Sequence, residues 1–128
     1  MRMRWLGLDA RKLARREIGA RRKYVRLSAR EAREAWAGEL DTLLRSLARV
    51  MKPGAPLVLL IADSAAGRPG ERPEAIRADE IVTRVAERGG RLEPIARASQ
   101  ARPHFHGPTA AAFTRRPRLE HALLLRRR

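Results

Sequence analysis

The sequence predicts an α/β fold in which a strongly apolar strand lies between two helices. Residues 57–62 are apolar without interruption, and a strand with one wet face would alternate, so this strand is predicted to be central and covered on both faces. Helical periodicity before it, over residues 29–51, and after it, over residues 76–88, predicts the flanking helices. Helices that alternate with strands along a chain are typical of the α/β class.

The first helix has a clear beginning and a clear end. Ser28 and Glu31 have the spacing of a capping box, in which each side chain binds the other residue's backbone N–H. Pro53 and Gly54 end the helix, because proline cannot continue it and glycine tolerates the chain reversal. Trp36 is predicted to pack in the core rather than to stack on a ligand. The predicted apolar stripe comprises Ala32, Trp36, Leu40, Leu43, Leu47 and Val50.

The second half of the chain is predicted as a loop, a helix and two strands. Glycines and prolines make residues 65–73 a loop, and Gly89 and Gly90 close the helix over residues 76–88. Residues 92–100 and 120–125 are predicted to pair as antiparallel neighbours, joined by a long loop over residues 102–117. The buried side of the helix is predicted to comprise Ile81, Val82, Val85 and Ala86.

Length and composition predict a single unit without disulfides. The 128 residues suffice for one core, and the unit divides into a basic segment, 1–27, and a structured part, 28–128. The absence of cysteine excludes disulfides and cysteine-bound zinc, and it agrees with a cytoplasmic location. No apolar run approaches the ~20 residues that cross a bilayer, so no membrane association is predicted.

The charge is strongly basic. Lys and Arg number 29 against 14 Asp and Glu, which gives a net charge of +15. Such an excess favours a polyanionic partner, and DNA is the partner predicted here. Arginine and alanine are abundant, as in the products of a GC-rich genome. That bias explains arginine in place of lysine, but it does not explain the excess of basic over acidic residues.

Two basic stretches are the predicted contacts with nucleic acid. Arg21, Arg22 and Lys23 follow a glycine and are positioned to meet phosphates, with Tyr24 available to stack on a base. The alternative is a solvated basic loop.

The second stretch contains Arg102, His104 and His106. The two histidines share a side of an extended chain, which is a spacing that metal ligands use. No third ligand is evident nearby, so no metal site is predicted. A contact with nucleic acid and a purely structural loop remain the alternatives.

Four segments resemble one enzyme superfamily. RVMKPGA at residues 49–55, followed by the apolar strand, resembles the segment that joins the fourth helix to the fifth strand of class I S-adenosylmethionine-dependent methyltransferases. Met51 and Ala55 are mild departures from the usual leucine and glycine. WLGL at 5–8, EIGARR at 17–22 and RLEHALLL at 118–125 resemble, in family order, segments of bacterial DNA amino-methyltransferases.

The resemblance implies a fold, a cofactor and a reaction. The fold is the C-terminal portion of a Rossmann-like sheet, in which the last strand inserts antiparallel between the fifth and sixth strands as a terminal hairpin. The cofactor is S-adenosylmethionine, and the reaction is methyl transfer to an exocyclic amine of adenine or cytosine, after the base has been flipped out of the duplex. Asp63 and Ser64 are the residues expected at the rim of the cofactor pocket.

The sequence departs from that family in its catalytic parts. It contains no glycine-rich G-x-G loop after a strand and no Pro-Pro-Tyr motif, which in the family follows an Asp, Ser or Asn to form the catalytic tetrapeptide. No catalytic residue is therefore assigned. Activity is expected to require an N-terminal methyltransferase half on another chain. In the resembled fold that half supplies the strand beside residues 57–62, so the unpaired edge of this strand is expected to favour self-association. Two alternatives remain: a small basic nucleic-acid-binding protein without catalysis, and a truncated gene product without an independent role.

Overall fold

A computed structural model describes residues 17–102 and 109–128. This part of the chain is mixed α/β. Its helices are α1 (Ala29–Val50) and α2 (Ala78–Gly89), with 3-10 helices at Arg21–Lys23 and Ala110–Phe113. Its strands are β1 (Pro56–Ala62), β2 (Ser64–Ala66), β3 (Glu74–Ile76), β4 (Leu92–Ala101) and β5 (Leu119–Arg127). None of these helices is both long and apolar enough to cross a membrane.

Helix α1 begins as predicted but buries a different stripe. The capping box of Ser28 and Glu31 is present, and Trp36 lies in the core as predicted. Val50, however, is 81% exposed. From Ala32 onward buried residues recur at every fourth position, and each such step turns about 40° further around the helix. By the last turn the buried stripe therefore lies on a different side of the helix from Val50. The buried residues are Ala29, Ala32, Trp36, Leu40, Leu44 and Ala48.

The three long strands form one sheet in the order β1–β5–β4. Strand β5 is antiparallel to both neighbours, so β1 and β4 run parallel to each other. Leu123 lies opposite Leu59 of β1 and Arg97 of β4. The predicted antiparallel pairing of residues 92–100 with 120–125 is therefore confirmed. A bulge at Ile95 shifts the register of β4.

Strand β1 lies at an edge of this sheet and is covered on one face, so both predictions for it are wrong within the described residues. The helices pack against the face that carries Leu123 and Leu125, which are buried. On the opposite face Val58 is 61% exposed and Leu60 is 83% exposed. No described element covers that face, which we call the open face; it carries Val58, Leu60, Ala96, Ala98, Ala122 and Leu124.

The segment between β1 and α2 is more ordered than its glycines and prolines predict. Strands β2 and β3 pair antiparallel, with Ala65 opposite Ala75, so only residues 67–73 form the loop. Ile76 ends β3 and is buried, and α2 begins at Ala78 instead of at Ile76 as predicted. The predicted buried side of α2 is confirmed, and Gly90 closes the helix in the left-handed conformation with φ +66°.

Candidate functional site

The segment over residues 19–24, which overlaps EIGARR, is bound to helix α1 through Glu39. The backbone N–H of Gly19 donates to Glu39 Oε2 at 2.9 Å, the Tyr24 hydroxyl donates to the same oxygen at 2.8 Å, and Lys23 Nζ binds Oε1. Gly19 has φ +71°, and a Cβ there would lie 2.9 Å from Trp36 Nε1, so both conformation and space require glycine. We call Gly19, Lys23, Tyr24 and Glu39 the Glu39 cluster.

This cluster binds two of the residues that were predicted to contact nucleic acid. Tyr24 is 9% exposed and belongs to the core, and the stacking predicted for its ring stays a prediction. Burial raises the pKa of Tyr24, and the hydrogen bond to Glu39 raises it further. The Lys23 charge is paired with Glu39, and the Arg22 guanidinium donates to Glu17 at 2.6 Å. Arg22 is exposed and its predicted phosphate contact stays a prediction, as does that of Arg21.

Glu39 is held as a carboxylate. Burial alone would raise its pKa, but the hydrogen bonds from Lys23, Gly19 and Tyr24 outweigh burial and lower the pKa below its usual value of 4.5.

Asp63 lies at the end of β1 and is completely buried. Its Oδ1 accepts from the Ala78 backbone N–H at 3.0 Å, and its Oδ2 accepts from Arg77 at 2.6 Å and from the Leu119 N–H at 3.1 Å. Burial would raise the pKa of this carboxyl, but these hydrogen bonds, with one from His121, hold it below its usual value of 3.8. Asp63 therefore ties the end of β1 to the beginnings of α2 and β5.

Asp63 was expected at the rim of a cofactor pocket. Its carboxylate faces the interior, where other parts of the chain bind it, and a contact with a cofactor stays a prediction. Ser64 is half-buried and lines a cavity of about 430 Å³ beside Trp36 and Ile76. The role expected of Ser64 stays a prediction.

Arg77 extends the contacts of Asp63 to the loop before β5. Its guanidinium donates to the carbonyl oxygens of Pro117 at 2.9 Å and of Arg116 at 3.1 Å, and it lies 5.5 Å from the centre of the Phe113 ring. One arginine thus fixes the route by which the chain enters its last strand.

His121 and Asp79 complete a buried polar group beside Asp63. His121 Nε2 lies 3.2 Å from Asp63 Oδ1 and 3.6 Å from Asp79 Oδ1, and its Nδ1 lies 2.9 Å from Ser99 Oγ. Asp79 Oδ2 is bound by Arg97, whereas its Oδ1 is buried with no hydrogen-bond partner among the described residues. We call the set of Asp63, Arg77, Asp79, Arg97 and His121 the Asp63 cluster.

Sequence reasoning missed Asp79 and His121 as a pair with Asp63. In the sequence Asp79 shows only the preference of acidic residues for the positive first turn of a helix, and this preference does not indicate a site. One signal was present for His121: in a strand whose alternate residues Leu123 and Leu125 are inward-facing, a histidine two positions earlier faces inward as well.

The second predicted nucleic-acid contact is described only in part. Arg102 is exposed and its guanidinium binds Glu120 across the hairpin. This ion pair raises the pKa of Arg102 and lowers that of Glu120. His104 and His106 lie outside the described residues.

Comparisons of the chain with protein-family models, with curated proteins and with solved structures give no match.

Proposed function

We propose that this chain is the C-terminal part of an S-adenosylmethionine-dependent DNA methyltransferase that modifies an exocyclic amine of adenine or cytosine. The proposal rests on the sequence resemblance together with one structural observation, which is the position of the last strand. Strand β5 runs antiparallel between two strands that are parallel to each other and joined through a helix. This is the arrangement that the resemblance implies for the fifth, seventh and sixth strands of the family.

The open face supports the need for a second polypeptide. Val58 and Leu60 expose apolar surface on this face. Leu60, Ala98 and Ala122 are among the residues that line a depression of about 550 Å³. The outer edge of β1 has no partner strand among the described residues. A methyltransferase N-terminal half would supply both a neighbouring strand and a covering layer, and burial of apolar surface would favour the association.

The described residues do not by themselves fit the cofactor. Asp63, the acidic residue expected to contact it, is enclosed by hydrogen bonds from the chain, and Ser64 offers one hydroxyl beside a largely apolar cavity. The glycine loop and the Pro-Pro-Tyr motif are absent from the sequence. The proposal therefore assigns cofactor binding and catalysis to the partner half and derives no chemical step from this chain.

The test is complementation. The purified chain should transfer no tritiated methyl group from S-adenosylmethionine to DNA and should show no cofactor binding by calorimetry. Addition of an amino-methyltransferase fragment that ends before its own WLGL-like segment should give methyl transfer. A matched chain with Val58→Lys and Leu60→Lys should fold equally well but fail to complement. Micromolar cofactor binding by the chain alone, or complementation that is indifferent to these two lysines, would contradict the proposal.

A second function, DNA binding without catalysis, is favoured by the net charge of +15. Arginine–phosphate contacts would make such binding steeply salt-dependent and tolerant of sequence. Replacing Arg21, Arg22 and Lys23 by alanine should weaken it and flatten the salt dependence.

The double variant Arg21→Ala/Arg22→Ala is the sharper test, because it keeps the Lys23–Glu39 ion pair. Its matched control is Arg84→Ala/Arg88→Ala, which removes two exposed charges from α2. Equal losses in both variants would mean that only net charge matters and that the basic segment has no special role.

A further inference from the structure

Three side chains of the Asp63 cluster present one ligand atom each to a common point. They come from three places along the chain: Asp63 follows β1, Asp79 is in the first turn of α2, and His121 is in β5. Asp63 Oδ1, Asp79 Oδ1 and His121 Nε2 all lie within 4.8 Å of one another. Metal–ligand bonds of about 2.0–2.2 Å hold neighbouring donor atoms about 3–3.5 Å apart. The two distances to Nε2, 3.2 Å and 3.6 Å, are close to that range.

One of these atoms lacks the partner that its burial demands. Asp79 is 1% exposed, and its Oδ1 has no hydrogen bond although it points toward His121. A buried oxygen without a partner loses its hydration without compensation, which destabilises the folded chain. A cation bound at this point would give that oxygen a partner.

The surroundings orient all three groups as outer-shell partners orient metal ligands. Asp63 Oδ2 is held by Arg77, Asp79 Oδ2 is held by Arg97, and His121 Nδ1 is 2.9 Å from Ser99 Oγ. In the metal-bound form His121 would carry its proton on Nδ1 and donate it to Ser99, and its Nε2 would face the ion in place of the hydrogen bond to Asp63. Both carboxylates and the imidazole are thereby fixed with one ligand atom each facing inward.

We propose that Asp63, Asp79 and His121 bind a divalent transition-metal ion, with Zn²⁺ the expected ion. One nitrogen and two carboxylate oxygens form a donor set that Zn²⁺ accepts, with a fourth position left for water. The two carboxylates balance the charge of the ion, while Arg77 and Arg97 keep positive charges nearby that limit the affinity. This inference is independent of the methyltransferase proposal.

Arg97 is the expected route of access. Its side chain is 55% exposed, whereas the three ligands are buried. Movement of this one side chain toward solvent opens the outer side of Asp79. It also removes a cation that competes for the same carboxylate.

The test is Zn²⁺ titration of the full chain by calorimetry after treatment with a chelator, together with thermal unfolding. We expect one saturable site and a rise in melting temperature, because an ion that binds only the folded state stabilises it. Asp79→Asn and His121→Gln should each weaken binding by at least about 100-fold, since outer-shell changes alone cost 10–100-fold. Asp79 is preferred to Asp63 for substitution because Asp63 also holds two backbone N–H groups.

Two controls keep the result specific. Asp41→Asn breaks an aspartate–arginine pair on α1, away from the cluster, and should leave the Zn²⁺ affinity unchanged. His104→Ala/His106→Ala removes the other histidines of the sequence and should also leave it unchanged. The proposal is overturned if the chain shows no saturable Zn²⁺ binding, if Asp79→Asn binds as tightly as the unchanged chain, or if the double histidine variant abolishes binding.

Discussion

Asp63 and Glu39 are both carboxylates bound by a cation and by at least one backbone N–H group, yet they hold different kinds of structure together. Asp63 is fully buried, and its partners Ala78, Leu119 and His121 are 15 to 58 residues away along the chain. Glu39 keeps a quarter of its side chain exposed, and its partners lie within residues 19–24.

The difference shows how burial and the number of separate chain segments that are joined together decide what a polar cluster does. The Asp63 cluster fixes three main elements relative to one another in a buried site, so each lost partner leaves an unsatisfied buried group. The Glu39 cluster fastens one short segment to the side of α1, where water can replace a lost partner. We therefore expect the Asp63 cluster to govern global stability and the Glu39 cluster to govern local order.

The largest expected effect is that of Asp63→Ala, measured by urea unfolding in the presence of a chelator. It leaves Arg77, whose side chain is only 12% exposed, without its carboxylate, and it strips the Ala78 and Leu119 N–H groups of their acceptor. Removal of one partner of a buried ion pair costs about 3–5 kcal/mol. A loss below about 1 kcal/mol would contradict the central position given to Asp63.

Glu39→Gln is expected to cost about 2 kcal/mol, because hydrogen bonds to a charged group contribute about 1.5–3 kcal/mol and water replaces part of the loss. The amide keeps the size of the side chain, but it loses the charge that binds Lys23. Compared with the unchanged chain, Glu39→Gln should exchange its native-state amide hydrogens faster at Gly19 but not in α2. Uniform acceleration across the chain would mean that Glu39 acts globally, as Asp63 does, and would remove the distinction.

The sequence predicted regular structure better than it predicted the use of polar residues. Helical periodicity, the capping box and the Gly90 stop are local signals, and each was confirmed within a few residues. The antiparallel pairing of β4 and β5 was expected in part from the family resemblance, and it is also present. The apolar run of β1 did not predict its burial, because the apolar character of a strand does not show which of its faces the rest of the chain covers.

The roles of polar residues were harder to predict from the sequence, for a different reason. The sequence pattern of an aspartate after an apolar strand is the same whether the side chain faces a ligand or binds the beginning of a helix. The orientation of Asp63 is determined by its contacts with Ala78, Leu119 and His121. These partners are distant in the sequence and have no motif. Likewise Tyr24 reads as a stacking residue beside three cations, but Glu39 on the next helix draws its hydroxyl inward.

The pH dependence of the Glu39→Gln difference is the third prediction. Hydrogen bonds hold the native pKa of Glu39 below its usual 4.5. A lowered pKa in the folded state gives stability that is complete above the unfolded value and is lost as the pH falls through the folded value. The gap in unfolding free energy between the unchanged chain and Glu39→Gln should therefore be constant above about pH 5 and should shrink toward pH 3. A gap that grows with acidity would mean that Glu39 is protonated in the native state.

Tyr24→Phe is expected to have the smallest effect, about 1 kcal/mol, because it removes one hydrogen bond to Glu39 while keeping the buried ring. The informative measurement is a double-mutant cycle with Glu39→Gln. If the hydroxyl acts through Glu39, the Tyr24→Phe loss should fall by at least about half in the Glu39→Gln background, since residues of one network are not additive. Tyr24→Phe combined with Asp63→Asn serves as the control and should be additive, because the two clusters share no residue. Additivity in the first cycle would show that the hydroxyl contributes nothing specific to Glu39, and the Glu39 cluster would then reduce to its Lys23 ion pair and its Gly19 hydrogen bond.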